Sequence, residues 1–385
     1  LKNGVHFEKT TTGFGGVYMF YQCGGRYEIP KFRGITHLAE HLACKGEKKY
    51  QKECVMNSFE TNALTGDDHV CFYFSGIDDL TAKFVEKYLS CRHYIPTQEE
   101  FETEKQIVIQ EDQSALCNNT LSEAISRGLF NYSGAIGDIE AIKALSYDDF
   151  LGFYKKIYAK PSVVVFMGGN HMKKAYDKFG KTIEIDMVKR VRPPIKVNKE
   201  PDSSKYKIWS KKDSNSVAFL SVFKGKEKNA QLSFLMRLFG DGFYSPFYDH
   251  IRETKKLCYY IYSGIEIFDK LRYCQVWTET SKEKEFTDEL FNILGNFEKF
   301  VSKDYFDSYI EKAITDIRQV KMRGGYNLAH NKYFANDESF FNTFDETNPI
   351  FSYDVMCKLA QKVANRDSWK KMSHFKDKIS FSDKI

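Results

Sequence analysis

Two imidazoles and a carboxylate fall within five positions, at His37, Glu40 and His41, in the stretch Gly34 to Gly46 (GITHLAEHLACKG). On a helix, residues four apart lie one above the other, so His37 and His41 can offer ring nitrogens to one ion. Glu40 sits beside them and could deprotonate a metal-bound water, which makes it the candidate general base. A pair of histidines alone leaves such a site incomplete.

Two carboxylates qualify to complete it. Glu104 and Glu111, in ETEKQIVIQEDQ, are seven residues apart. That spacing is two turns on one face of the helix expected from about Gln98 to Ala115. A glutamate from this second helix would give a two-His, one-Glu set with a fourth position left for water. Cys44, on the motif helix, has no His/Asn pairing around it and is expected to be a packing thiol. His69 and His250 lack ligand spacing, and His6, His93, His171, His330 and His374 are scattered. All seven are expected to fill ordinary roles. Gly168-Gly169-Asn170 follows an apolar run, but the chain has no G-x-G-x-x-G and no G-K-[ST], so it is not read as a nucleotide turn.

The elements that must position these groups follow from the local patterns. Val5 to Lys9 and Gly16 to Gln22 are apolar runs separated by TTTGFGG, which predicts a hairpin of two strands. Tyr50 to Phe59 and Asp78 to Tyr88 read as helices. Glu60 to Thr65 leads into the β-branched and aromatic run His69 to Ser75, a buried strand. Residues 180–205 alternate Lys, Pro, Asp and Val, and Pro193, Pro194 and Pro201 argue for an extended linker. Beyond it the order repeats: strand Ser216 to Phe223, helix Asn229 to Phe239, a glycine turn and a helix, strand Tyr259 to Ile267, then a helical region from Lys282 to Met322. The repeat suggests a duplicated α+β unit that kept its fold and lost its metal motif.

H-L-A-E-H followed by E-K-Q-I-V-I-Q-E resembles the pitrilysin or insulinase family of inverted zinc metallopeptidases, which includes the mitochondrial processing peptidases. The resemblance covers nearly the whole chain and implies an α+β fold of two tandem homologous α/β sandwich domains, each a mostly antiparallel sheet packed by helices. It implies a catalytic domain at 1–190, a linker at 191–204 and a homologous domain at 205–385. It assigns Glu111 as the third ligand of one zinc ion per chain and Glu104 as the supporting carboxylate. It places Asn62 and Ala63 where the family presents an edge strand to an extended substrate. Gly240 to Ser263 is similar to the family's second-domain signature, so Arg252 and Tyr259 are expected to contact substrate near the scissile carbonyl. The implied activity is zinc-dependent endopeptidase action on unfolded or short polypeptides, with Glu40 as general base. Because one chain carries both the metal motif and the Arg/Tyr pair, the resemblance implies a homodimer with composite active sites. The alternative is a non-catalytic peptide-binding or assembly subunit of the same fold.

Composition sets the outer bounds. A chain of 385 residues with 42% hydrophobic and 28% charged residues is globular and long enough for two domains. The net charge of +5 arises from 57 basic and 52 acidic residues without a basic block, which argues against nucleic-acid binding. No apolar run is long enough to span a bilayer. Nine cysteines without a C-x-x-C pair favour reduced thiols, hence a cytoplasmic or other reducing compartment. The chain begins at Leu1 rather than Met, as it would after removal of an N-terminal segment.

Overall fold

The computed structural model describes residues 1–118, 137–188, 190–191, 216–223, 226–268, 271–335, 351–375 and 378–382. Of the expected linker at 191–204, all but Val191 lies outside them, as does His374 beyond its backbone. The described residues of Leu1–Ser114, Tyr132–Pro193 and Asp316–Glu338 form one compact unit, and those of Ala115–Asn131, Pro194–Thr315 and Ser339–Ile385 a second.

The first unit is built on β1 (Gly4–Lys9), β2 (Phe14–Tyr21), β3 (Glu60–Thr65), β4 (Val70–Ile77) and β5 (Val163–Gly168), in the spatial order β1-β5-β2-β4-β3. The two N-terminal runs are strands, as their patterns suggest, but they do not form the expected hairpin. β5 lies between them, parallel to β1 and antiparallel to β2. Its sequence VVVFMG is buried along its whole length, and a strand apolar on both faces belongs inside a sheet. β1, half-buried up to its exposed last residue Lys9, takes the edge instead.

One face of this sheet is covered by helices: α1 (Ile35–Cys44), α2 (Gln51–Met56), α3 (Asp78–Cys91), α4 (Gln98–Asn118), α5 (Ile139–Ala144), α6 (Tyr147–Ile157) and α7 (Asn170–Phe179). Val17, Met19, Tyr21, Phe72, Phe74, Val164 and Phe166 meet Leu38, Leu42, Val85, Tyr88, Phe101 and Phe150 in one core. Burying each such side chain is worth about 1.5–3 kcal/mol. The other face carries Phe20, and against it packs the returning segment near residues 326–334. The Phe20 ring lies 5.4 Å from Phe334 and 6.0 Å from Tyr326. His69 joins this cluster, accepting or donating at Nε2 to the Tyr326 hydroxyl at 2.6 Å.

The second unit holds β6 (Ser216–Val222), β7 (Ile261–Phe268), β8 (Leu271–Glu279), β9 (Trp369–Phe375) and β10 (Lys378–Ser382), in the order β10-β9-β6-β8-β7. The order of its last four strands matches that of β5-β2-β4-β3, so the two sheets share a four-strand core. They differ at the fifth strand, parallel in the first unit and antiparallel in the second. Helices α8 (Asn229–Gly240), α9 (Glu283–Gly295), α10 (Lys303–Arg323) as far as Thr315, and α11 (Tyr353–Val363) accompany this half. Trp369 is fully buried in the second core, its indole N–H donating to the Val363 carbonyl at 2.6 Å. Among the described residues no helix is long and apolar enough to cross a membrane.

Candidate metal centre

Helix α1 is set by its entrance. Gly34 caps it with a φ of 95°, a left-handed conformation that a side chain would strain. The buried Glu28 carboxylate accepts the backbone N–H groups of Gly34 at 2.7 Å and Thr36 at 2.8 Å, satisfying donors that a helix start leaves open. Gly137 then packs on Gly34 so closely that a Cβ there would stand 2.2 Å from the Gly34 Cα. With Leu38, Ala39, Leu42 and Ala43 in the core, the remaining face presents His37, Glu40, His41 and Cys44.

The expected ligands converge. Ligand atoms of His37, His41 and Glu111 all lie within 4.8 Å of one another. His41 Nε2 is 3.3 Å from Glu111 Oε2, and the His37 and His41 rings stand edge to face with centroids 4.7 Å apart. Two ligands on a tetrahedral zinc with bonds of roughly 2.0–2.1 Å would be separated by about 3.3 Å, so this spacing suits that ion. His37 Nδ1 is buried without a hydrogen-bond partner. Burial, followed by the neighbouring His41, pulls the His37 pKa down to about 4, so its imidazole is neutral near pH 7 with a lone pair to give.

Glu104 lies against the second histidine. Its Oε2 is 3.3 Å from His41 Nδ1, while its Oε1 receives the ammonium of Lys45. A carboxylate on Nδ1 fixes the ring and leaves the Nε2 lone pair open to an ion. Lys45 lies one turn beyond His41, a spacing visible in the sequence.

Glu40 faces the same space, tied by a different element. Thr65, the last residue of β3, donates its hydroxyl to Glu40 Oε2 at 2.8 Å. Burial raises the Glu40 pKa, opposed by the Thr65 hydroxyl and by His41, which makes it a stronger base than an exposed carboxylate. Thr65 carried no signal in the sequence, because its role depends on the end of β3 meeting α1. The Cys44 thiol is pushed up to about 12, chiefly by burial and then by Glu40, as expected of a packing thiol.

Asn62 and Ala63 lie on β3, which is an edge strand of the first sheet. The Asn62 side chain accepts the Ala63 N–H at 2.9 Å. In the second unit Arg252 sits in a π-helix, Phe247–Thr254, and its guanidinium lies 4.3 Å from the Tyr248 ring centroid and 5.0 Å from that of Tyr259. The pair is thus brought together, with Tyr259 82% exposed.

A second cluster escaped the sequence. Ligand-type atoms of Asp68, His69 and His330 lie within 4.8 Å of one another. His69 has both ring nitrogens engaged, Nδ1 with Asp68 Oδ1 at 2.9 Å and Nε2 with Tyr326. It acts as a clasp between β4 and the returning segment.

Two models of one family match this chain. Residues 5–132 match the insulinase domain of peptidase family M16, and residues 144–313 match the M16 inactive domain. The chain belongs to peptidase family M16. It is 24% identical over 258 residues to an uncharacterised zinc protease of Bacillus subtilis, covering 62% of each. It is 24% identical over 322 residues to one of Rickettsia bellii, covering 78% of this chain and 76% of that one. The match thus spans about three fifths of the Bacillus protein's length. The M16 fold is shared with a crystal structure of a protease from Helicobacter pylori, at a TM-score of 0.73 and 17% identity over 94% of both chains. The match to the M16 inactive domain begins at residue 144, within the first unit, and runs through most of the half without the histidine motif.

Proposed function

We propose that the chain is a zinc-dependent endopeptidase whose ion is held by His37, His41 and Glu111, one per chain. The observation that carries the reading is the convergence of those three donors beside Glu40, the one carboxylate-bearing residue of α1, which is tied by Thr65. Zinc supplies a Lewis acid that polarises the scissile carbonyl and acidifies water. Glu40 takes the proton from the attacking water and returns it to the leaving amine. Glu104 and Lys45 hold His41 in orientation.

Substrate is an extended segment of a short or unfolded polypeptide, added as a strand to the β3 edge beside Asn62 and Ala63. Main-chain hydrogen bonds to an edge strand tolerate many sequences, which suits a peptidase of broad reach. Arg252 and Tyr259 supply donors near the scissile carbonyl in a homodimer with composite sites.

The test pairs metal content with cleavage of a quenched mixed-sequence peptide library, in native protein and Glu40→Gln. One zinc per chain in both, with cleavage by the native protein alone, is the expected result. Zinc in both without cleavage by either would favour a non-catalytic peptide-binding role.

A further inference from the structure

The two faces of β3 lead to different places. Ala63 packs into the core beneath the helices and Thr65 reaches Glu40, so Thr61, Ala63 and Thr65 share the face of the metal cluster. Glu60, Asn62 and Leu64 point to the other face. There a cavity of about 400 Å³ is lined by Glu60, Ser75, Tyr18, Gly16, Met167 and Arg323, among others. The Tyr73 hydroxyl donates to Glu60 Oε1 at 3.1 Å and the Ser75 hydroxyl to Oε2 at 3.5 Å. These hydroxyls orient the carboxylate, and among the described residues no lysine or arginine forms an ion pair with it. Arg323 lines the same cavity but forms no ion pair with Glu60.

We propose that Glu60 is a specificity subsite that selects a basic side chain in the peptide bound along β3. The inference rests on the edge-strand reading of substrate binding given above. In a strand added to β3, the residue directly opposite Glu60 points to the same face, with its Cβ about 4.5–5.5 Å away. A lysine or arginine there reaches the carboxylate at the rim of the cavity. Strands rise about 3.3 Å per residue, so this position lies about 17 Å from the level of Thr65 and Glu40. β3 therefore acts as a ruler: the basic residue is fixed five positions from the residue facing Thr65, and hence at a constant distance from the cleaved bond.

The experiment uses acetylated, quenched neutral peptides in which one Lys is walked along the sequence, each with a Gln counterpart. The kcat/KM ratio and the cleaved bond are read for the native protein, and binding to Glu40→Gln is followed by fluorescence anisotropy. One Lys register should be preferred by about two- to fivefold in both readouts, the scale of a cross-strand opposite-charge pair. Glu60→Gln should bring that ratio to one, and Glu60→Lys should bring it below one, in favour of the Gln counterpart. Cleavage or binding with no preferred register, or a preference that survives Glu60→Gln, overturns the proposal. So does a preference for the matching peptides with a free amino terminus over the Lys series. Register-dependent binding without turnover would instead count against the peptidase reading and leave the Glu60 subsite standing, whereas absence of any peptide binding would overturn both.

Discussion

The Lys45 ammonium is paired with the Glu104 carboxylate, whose second oxygen faces His41, so the lysine is linked through Glu104 to one member of the candidate metal cluster. Both side chains are largely buried, at 14% and 7% exposure. Removing one partner of a buried pair leaves the other charge uncompensated.

Lys45→Met should therefore free Glu104 to reorient, and zinc affinity should fall by about 10- to 100-fold, the scale of a lost outer partner of a metal-binding histidine. Lys45→Arg should restore most of it. Competition with a chromogenic chelator measures both without any assay of activity.

Thr65→Val keeps the shape of the side chain and removes its hydroxyl. The hydroxyl opposes the upward shift of the Glu40 pKa, so without it that pKa rises further. The acid limb of the pH–rate profile should move to higher pH and kcat should fall by about tenfold, a fraction of the roughly 100- to 10,000-fold that a whole general base contributes. Zinc content should stay unchanged. A profile superimposable on that of the native protein would dissociate Thr65 from the base.

Gly137→Ala drives a Cβ to within 2.2 Å of Gly34, at a residue whose φ of 101° already disfavours a side chain. A cost of about 1–3 kcal/mol is expected from the backbone conformation alone. The entrance of α1 should loosen, seen as faster amide exchange at residues 35–38 before any global loss of structure.

Glu289 gives the second unit an acid limit. The Asn292 amide, with Lys255 and His250, holds its carboxyl well below the usual range, at about 2. Its folded-state pKa is depressed, so its contribution is complete above the unfolded value near 4.5 and is lost as pH falls toward 2. Glu289→Gln should flatten the dependence of urea stability on pH between 5 and 2. The native and variant curves should differ most near neutrality and converge at the acid end.

What the sequence disclosed was whatever depends on local spacing. His37, Glu40 and His41 belong to one helix turn and its neighbour, and Glu104 and Glu111 to two turns of another, so periodicity alone placed each set on a face. Most elements of the first half and β6, α8 and β7 of the second were legible in the same way, whereas β8, β9, β10 and α11 were not read from the sequence. Nor was the pairing of β1. A short turn between two apolar runs looks the same whether the runs pair directly or a third strand separates them, and only the double-sided burial of Val163 to Gly168 decides. Thr65 and the His69–Tyr326–His330 clasp were hidden for the same reason, since each joins elements that no repeat connects.

The insertion of β5 between β1 and β2 bears on how the chain is made. Gly4 must wait for Val163 before its strand has a neighbour, and Phe20 and His69 wait for Tyr326 and Phe334. Pairings of such sequence separation are slow to form, since the intervening loop must close before any contact rewards it. During synthesis the first sheet thus stands with an aromatic face bare until residues 326–334 have left the ribosome. Truncation before residue 316 would make that transient exposure permanent, and such a fragment should aggregate although every residue of the metal cluster is present in it.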